Sequence, residues 1–393
     1  MPRLFKVQVL NQISEKGLQR LPAEGYVVGK DLVDPDAFLV RSADMHGMEI
    51  PASVKAIGRA GAGTNNIPVK AMSARGVPVF NAPGANANAV KELVLAGMLM
   101  AARNLAPAQR FVEKLDAASP DLDKAVEDGK KQFAGYELAG QTLGIIGLGK
   151  IGCIVADAAI KLGMNVLGYD PEITVDAAWS LPAQVKKATS VTDVLKNANF
   201  VTLHVPLVDA TRDLVNEKNV GLAKPGTVLL NFSREGVVNN SAVLAALDSG
   251  QLGWYVCDFP SGKIMRHNKV VALPHLGAST REAEENCAVM VADQLRDFLE
   301  HGNVANAVNF PHVSMERESR FRVAIANANV PNMLGQISTA MASAGLNIHN
   351  MVNKSRGDMA YTLVDVDSPV GDGVISALRA IEGVLAVRYL PDS

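Results

Sequence analysis

Gly147-Leu148-Gly149-Lys150-Ile151-Gly152 spaces three glycines as GxGxxG, and Asp170 stands 18 residues beyond the last of them. In a strand-to-helix turn, the first glycine permits a tight bend. The second lets a pyrophosphate approach the backbone, and the third lets the helix pack closely on its strand. A helix opening at Lys150 and Ile151 offers the phosphates unpaired N–H groups and a partial positive charge. Asp170 is placed to accept from ribose hydroxyls and to repel a 2′-phosphate. Pro171 follows it, not an arginine, so NAD is expected over NADP. Two further residues could act beside a nicotinamide: Arg234, just past TVLLNFS (227–233), and His275, which ends KVVALPH (269–275). A guanidinium can hold a carboxylate and polarise the neighbouring carbonyl, and an imidazole can exchange a hydroxyl proton. Hydride transfer to or from a 2-hydroxy or 2-keto acid needs both.

Those residues must be held by strands and helices. LGIIG (143–147), NVLGYD (165–170), FVTLHVP (200–206), TVLLNFS, WYVCDF (254–259) and KVVALPH are short, nearly all-apolar runs separated mostly by helical stretches. Such strands suit a parallel sheet covered on both faces, a doubly wound domain. In the helix after the glycines, Ile151, Ile154, Val155, Ala158 and Leu162 recur at helical spacing. Upstream, FKVQVL (5–10), AFLVRS (37–42), VKAIGRA (54–60) and PVFNAP (78–83) alternate with helix-like stretches and predict a second α/β domain. An apolar helix at 89–103 with a polar tract behind it, 104–137, suggests a crossing between the two. After a helix at 280–301 the periodicity weakens, so 303–319 is expected as a linker. The last seventy-odd residues run βαββαβ, a small ferredoxin-like module.

The 393 residues suffice for two or three domains, and Lys+Arg 38 against Asp+Glu 40 gives a net charge of −2. No nucleic-acid partner is expected from that balance. Cys153, Cys257 and Cys287 fit neither a disulfide framework nor a metal-ligand spacing, and no apolar run is long enough for a membrane span. A cytoplasmic chain without a metal or a membrane partner is the expectation.

The chain resembles the D-isomer-specific 2-hydroxyacid dehydrogenases through motifs in that family's order. They are Arg59-Ala60-Gly61-Ala62-Gly63-Thr64-Asn65-Asn66-Ile67, Asn81-Ala82-Pro83-Gly84 with Asn86, His204-Val205-Pro206-Leu207, Asn231-Phe232-Ser233-Arg234-Glu235-Gly236, and Pro274-His275-Leu276-Gly277-Ala278-Ser279-Thr280. The resemblance covers about 4–310. It implies a flavodoxin-like substrate-binding domain (1–90 and 276–302), a Rossmann NAD domain (91–275), and a homodimer or homotetramer. Arg234 would bind the carboxylate and polarise the C2 oxygen while His275 exchanges the proton. Backbone N–H groups near Ala62 and Gly63, together with Asn86, would face the substrate. His204, Val205, Pro206, Thr211, Phe232, Ser233, Asp258, Gly277 and Ala278 would line the nucleotide and nicotinamide. Arg41-Ser42 and the C-terminal module point to those members that oxidise 3-phosphoglycerate at the head of L-serine synthesis, with Arg41 meeting the phosphate. Two alternatives are a dehydrogenase or reductase of glycerate, glyoxylate or hydroxypyruvate, and an NAD-sensing binding protein without turnover.

One position departs from the family. A glutamate normally contacts the catalytic histidine, but no glutamate occurs from Asp258 to Arg281, and Lys263 falls where the acid would stand. An ammonium there disfavours the imidazolium, so a pH optimum tied to His275 is expected to lie lower, or Lys263 itself joins proton transfer or substrate binding. Glu282 or Glu285 is an alternative source of the missing carboxylate. Residues 320–393 resemble an ACT domain, a regulatory fold. By that resemblance Asn329, Asn332 and Asn347 are candidate contacts for an amino-acid effector, L-serine first. A purely structural role for the module is the alternative.

Overall fold

The computed structural model describes residues 4–391. Backbone contacts divide the chain into two units: Ala87–Thr280, and the residues up to Asn86 together with those from Arg281 onward. The divisions fall where the helices Ala87–Ala102 and Arg281–His301 begin, a few residues from the 90/91 and 275/276 boundaries expected above.

In the first unit, β1 (Phe5–Leu10), β2 (Tyr26–Gly29), β3 (Ala37–Val40), β4 (Ala56–Arg59) and β5 (Val79–Phe80) form a parallel sheet of order β2-β1-β3-β4-β5. This is the flavodoxin-like order. β2 was not expected; its four residues, YVVG, are too few to show a period.

In the second unit, β6 (Thr142–Ile146), β7 (Asn165–Tyr169), β8 (Lys186–Lys187), β9 (Phe200–Leu203), β10 (Thr227–Asn231), β11 (Leu252–Cys257) and β12 (Val270–Ala272) pair in parallel, in the order β12-β11-β10-β9-β6-β7-β8. β9 and β10 are buried at every residue, as central strands covered on both faces must be. The order turns back at β6, where the glycine-rich turn stands, and β9. Ligands of open α/β sheets bind at such a switch point, beyond the carboxyl ends of the strands. The edge pair Lys186–Lys187 is exposed and carries no apolar signal, so β8 too escaped the sequence reading.

The C-terminal module supplies β13 (Phe321–Ala328), β14 (Ile348–Arg356), β15 (Met359–Val366) and β16 (Val384–Pro391), an antiparallel sheet of order β14-β15-β13-β16. Its helices Met333–Ser343 and Asp372–Arg379 pack on one face through Val323, Ile325, Ile337, Met341 and Leu378. The other face is not solvent. Ala324, Ala326, Tyr361, Leu363 and Leu390 share one buried cluster with Phe80, Phe298 and Phe310.

The module therefore belongs to the first unit, and 303–319, expected as a linker, sends part of its chain into that unit's core. Val304 and Val313 bridge each other, and both are buried with Phe310 and Met315. Weak periodicity there reflects an irregular backbone inserted into a core. Arginines of the linker and module also finish the Arg281 helix. A helix leaves its last four carbonyls without partners. Here Arg388 donates to Phe298 O (3.0 Å) and Leu299 O (2.8 Å), Arg317 to Glu300 O (3.4 Å) and Arg322 to His301 O (3.1 Å). Three guanidiniums at the negative end of the helix dipole are electrostatically favourable as well. Arg322 and Asp365, both fully buried, make a two-pronged pair at 2.6 and 2.9 Å.

Candidate active site

The dinucleotide cradle begins where β6 ends. Gly147 takes φ +95°, and a Cβ there would lie 2.4 Å from His204 O, so only glycine turns the chain at this point. A Cβ on Gly152 would meet Gly147 O at 2.1 Å, so the helix Lys150–Lys161 can start this close to its strand only without a side chain there. Gly149 differs: nothing lies within 4 Å of the place its Cβ would take. That open space stands in front of a twelve-residue helix, where a pyrophosphate would need it. Asp170 is already oriented, accepting from Leu148 N and Glu172 N at 2.9 Å each. The carboxylate keeps lone pairs for ribose hydroxyls, and the site fits an unphosphorylated ribose.

On the other side of the switch point, His204 follows β9 and hydrogen-bonds Thr202 Oγ1 at 3.0 Å, while burial pushes its imidazole down to about 4. It is neutral at physiological pH. Val205 and Pro206 continue the loop, tied by Thr211 Oγ1, which donates to Pro206 O at 2.5 Å and accepts from Val208 N at 2.9 Å.

The segment after β10 is held by Asn231, whose amide Oδ1 accepts from Ser233 N (3.1 Å) and Ser233 Oγ (2.9 Å) while its Nδ2 donates to Arg234 O (2.9 Å). Phe232 and Ser233 are buried; Arg234, by contrast, is exposed and leans on Ser233 O at 2.7 Å. Asp258, 1% exposed, is pinned beneath the His275 loop. Its two oxygens accept from Leu276 N and Gly277 N at 2.7 Å each. Burial raises its proton affinity, and the two N–H donors oppose that rise. A Cβ on Gly277 would stand 3.2 Å from Asp258 Oδ2, so the small residue keeps this contact; Ala278 follows in the same turn.

His275 itself takes φ +57°, rare for a residue with a side chain, and its N–H is shared between Asp258 O (3.1 Å) and Leu273 O (3.0 Å). The ring meets Phe259 at 5.1 Å between centroids. A locally strained backbone anchored by a buried carboxylate is how a loop holds one side chain in a fixed direction.

Arg234, Lys263 and His275 line one groove of about 770 Å³, with Arg212, Asp213, Glu235 and Asn240 also in its wall. Arg212 lies in none of the sequence motifs and Glu235 only accompanies Arg234 in one; each is an ordinary surface charge until the fold turns it to the groove. Glu282 and Glu285, the alternative acids for His275, are ion-paired in the other unit, with Arg281 (3.0 Å) and Lys16 (2.6 Å). Within its own unit, Glu235 is the glutamate that shares the groove with the imidazole.

In the first unit, the N–H groups of Ala62 and Gly63 have no partner among the described residues, which leaves two donors presented by one loop. Arg59 lies over this loop: a Cβ on Gly61 would be 1.6 Å from its Nη1. Arg41 is held by Glu284 at 2.6 Å; Ser42 follows it, and Asn86 is half-buried at the unit's end. In the C-terminal module the three asparagines do not meet. Asn329 donates to Gly357 O (3.0 Å), and Asn332 takes the cap position at the start of the Met333 helix. Asn347 lines a hollow with Ser338 and Thr339, and neither Asn329 nor Asn332 is in its wall.

Residues 95–277 match the family model described as D-isomer specific 2-hydroxyacid dehydrogenase, NAD binding domain. The D-3-phosphoglycerate dehydrogenase of Escherichia coli (strain K12) is 31% identical over 420 aligned positions, covering 98% of this chain and 97% of that protein. That of Methanocaldococcus jannaschii is 33% identical over 85% of this chain, which spans only 62% of the archaeal protein's length. Among solved structures, the TT0316 protein from Thermus thermophilus superposes with a TM-score of 0.63 at 26% identity, covering 77% of this chain and all of that one. An NAD⁺-bound 3-phosphoglycerate dehydrogenase of Entamoeba histolytica, at 24% identity and a TM-score of 0.60, covers 78% of this chain and 99% of its own and shares the fold.

Proposed function

The chain belongs to the D-isomer-specific 2-hydroxyacid dehydrogenases, and on that premise we propose that it oxidises 3-phosphoglycerate to 3-phosphohydroxypyruvate with NAD, the first step of L-serine synthesis. The observation that carries this reading is one groove, in the unit that holds the dinucleotide cradle, walled by both Arg234 and His275. NAD, when bound, supplies the hydride acceptor.

The protein's own groups do the rest. Arg234 pairs with the substrate carboxylate and draws electron density toward the C2 oxygen as it becomes a carbonyl. His275 takes the C2 hydroxyl proton as the C2 hydride departs, and returns a proton in the reverse direction. Gly147, Gly149, Gly152, Lys150 and Ile151 shape the pyrophosphate site, with Asp170 at the ribose. Ala62, Gly63, Arg41, Ser42 and Asn86 are read as substrate contacts of the first unit.

The likeness along nearly the whole E. coli enzyme supports 3-phosphoglycerate over other small acids. The test is NADH oxidation with phosphohydroxypyruvate beside hydroxypyruvate and glyoxylate. Preference for the phosphorylated acid is expected. Preference for either other acid selects the reductase alternative, and NADH binding without turnover selects the sensor.

We read the chain further as a cytoplasmic homo-oligomer. Three free, buried cysteines suit a reducing compartment. Exposed Leu99, Leu105, Val112 and Val126, in and after the Ala87 helix, are apolar surface that a second copy would cover. L-Serine remains the proposed effector of the C-terminal module. Equilibrium dialysis with serine decides between this and a structural role.

A further inference from the structure

A substrate with a carboxylate at one end and a phosphate at the other needs two separate cationic contacts. Arg234 accounts for the first. The groove it lines holds two more cations, Lys263 and Arg212, and neither makes an ion pair among the described residues. Unpaired cations gathered on one concave wall are poised for an anion, because bringing them together without one is electrostatically unfavourable.

Two carboxylates, Asp213 and Glu235, share the wall. Neither makes a salt bridge to these cations; Glu235 instead meets Asn240 Nδ2 at 3.5 Å. Asn240 also reaches Ser261 Oγ at 3.3 Å, and its own Oδ1 is buried without a partner. That acceptor suits an ammonium or a bound hydroxyl. Arg41, the residue first expected at the phosphate, is engaged by Glu284 in the other unit.

Building on the function proposed above, we propose that Lys263 and Arg212 form the subsite for the substrate's phosphate and set the preference for phosphorylated over unphosphorylated 2-keto acids. A phosphate dianion offers three acceptor oxygens. Lys263 meets it as a compact charge and Arg212 as a fork of donors, while Arg234 keeps the carboxylate. The cation in place of the family's glutamate thus has a binding role, and His275 works without a carboxylate at position 263.

The test compares kcat/KM for phosphohydroxypyruvate and hydroxypyruvate in the wild-type enzyme and in Lys263→Met, Arg212→Met and Lys263→Arg, with thermal midpoint and NADH affinity as folding controls. The ratio of the two specificities should fall about tenfold or more in each methionine variant, chiefly through KM for the phosphorylated acid, and recover in Lys263→Arg. Inorganic phosphate should compete with phosphohydroxypyruvate in the wild type and lose potency in the variants. Equal losses on both substrates, or an unchanged ratio, overturn the subsite. If the wild-type protein turns over neither acid, the functional reading fails by itself. Calorimetric titration with inorganic phosphate then judges the subsite: weaker binding in the double methionine variant supports it, and equal binding overturns it.

Discussion

His275 and His204 show how one residue type takes opposite surroundings within a single unit. His275 reaches a groove from a left-handed turn, whereas His204 is half-buried against Thr202 and stays neutral. Replacing His275 with Asn should lower kcat by about 10²–10⁴, the usual worth of a general acid–base, with NADH affinity retained; stopped-flow and binding titrations separate the two. The His204 effect appears in stability instead. Its folded pKa is near 4 against an ordinary 6.5, so the unfolded chain binds the extra proton across that window and stability falls as pH drops from about 6.5 toward 4. Urea unfolding at pH 7 and 4.5 should show wild type losing about 2 kcal/mol more than His204→Gln over that interval. Parallel losses in the two proteins would remove this account.

The glycine turn and the Arg281 helix carry the element-scale consequences. Gly149→Ala places a methyl where nothing stands within 4 Å, so the fold should keep its thermal midpoint while NAD affinity drops, as read by NADH fluorescence titration. Gly152→Ala drives a methyl toward Gly147 O at 2.1 Å and should lower the midpoint as well. The order of these two effects follows from space alone. The strand, the helix and the acid of this motif were legible in the sequence, because period and spacing are local properties. The arginine caps on the Arg281 helix were not, since the donors at 317, 322 and 388 come from a segment expected to be a linker and from the module beyond it. Arg322→Ala strands Asp365 as a buried, unpaired carboxylate and should cost about 3–5 kcal/mol in chemical denaturation.

At the scale of the molecule, the C-terminal module is part of the first unit's core. Ending the chain at residue 319 would expose the buried faces of Phe298 and Phe310 and remove the arginine donors from three of the four carbonyls, those of Phe298, Leu299 and His301. That truncation should give a less stable, aggregation-prone protein, seen as a lower thermal midpoint and larger species by light scattering. Unchanged stability would mean the module is an appendage.

The sequence by itself determined most of the parallel strands and the glycine turn with its acid, since each rests on short-range pattern; it also proposed the arginine and the histidine. Only the tertiary structure decided which charges share a groove with them, that Arg41 is paired with Glu284, and that 303–319 sends Val304, Phe310, Val313 and Met315 into the core. Those facts depend on residues far apart in the chain meeting in space, and a charged side chain carries no local mark of whether its partner will be water, a counter-ion or a substrate.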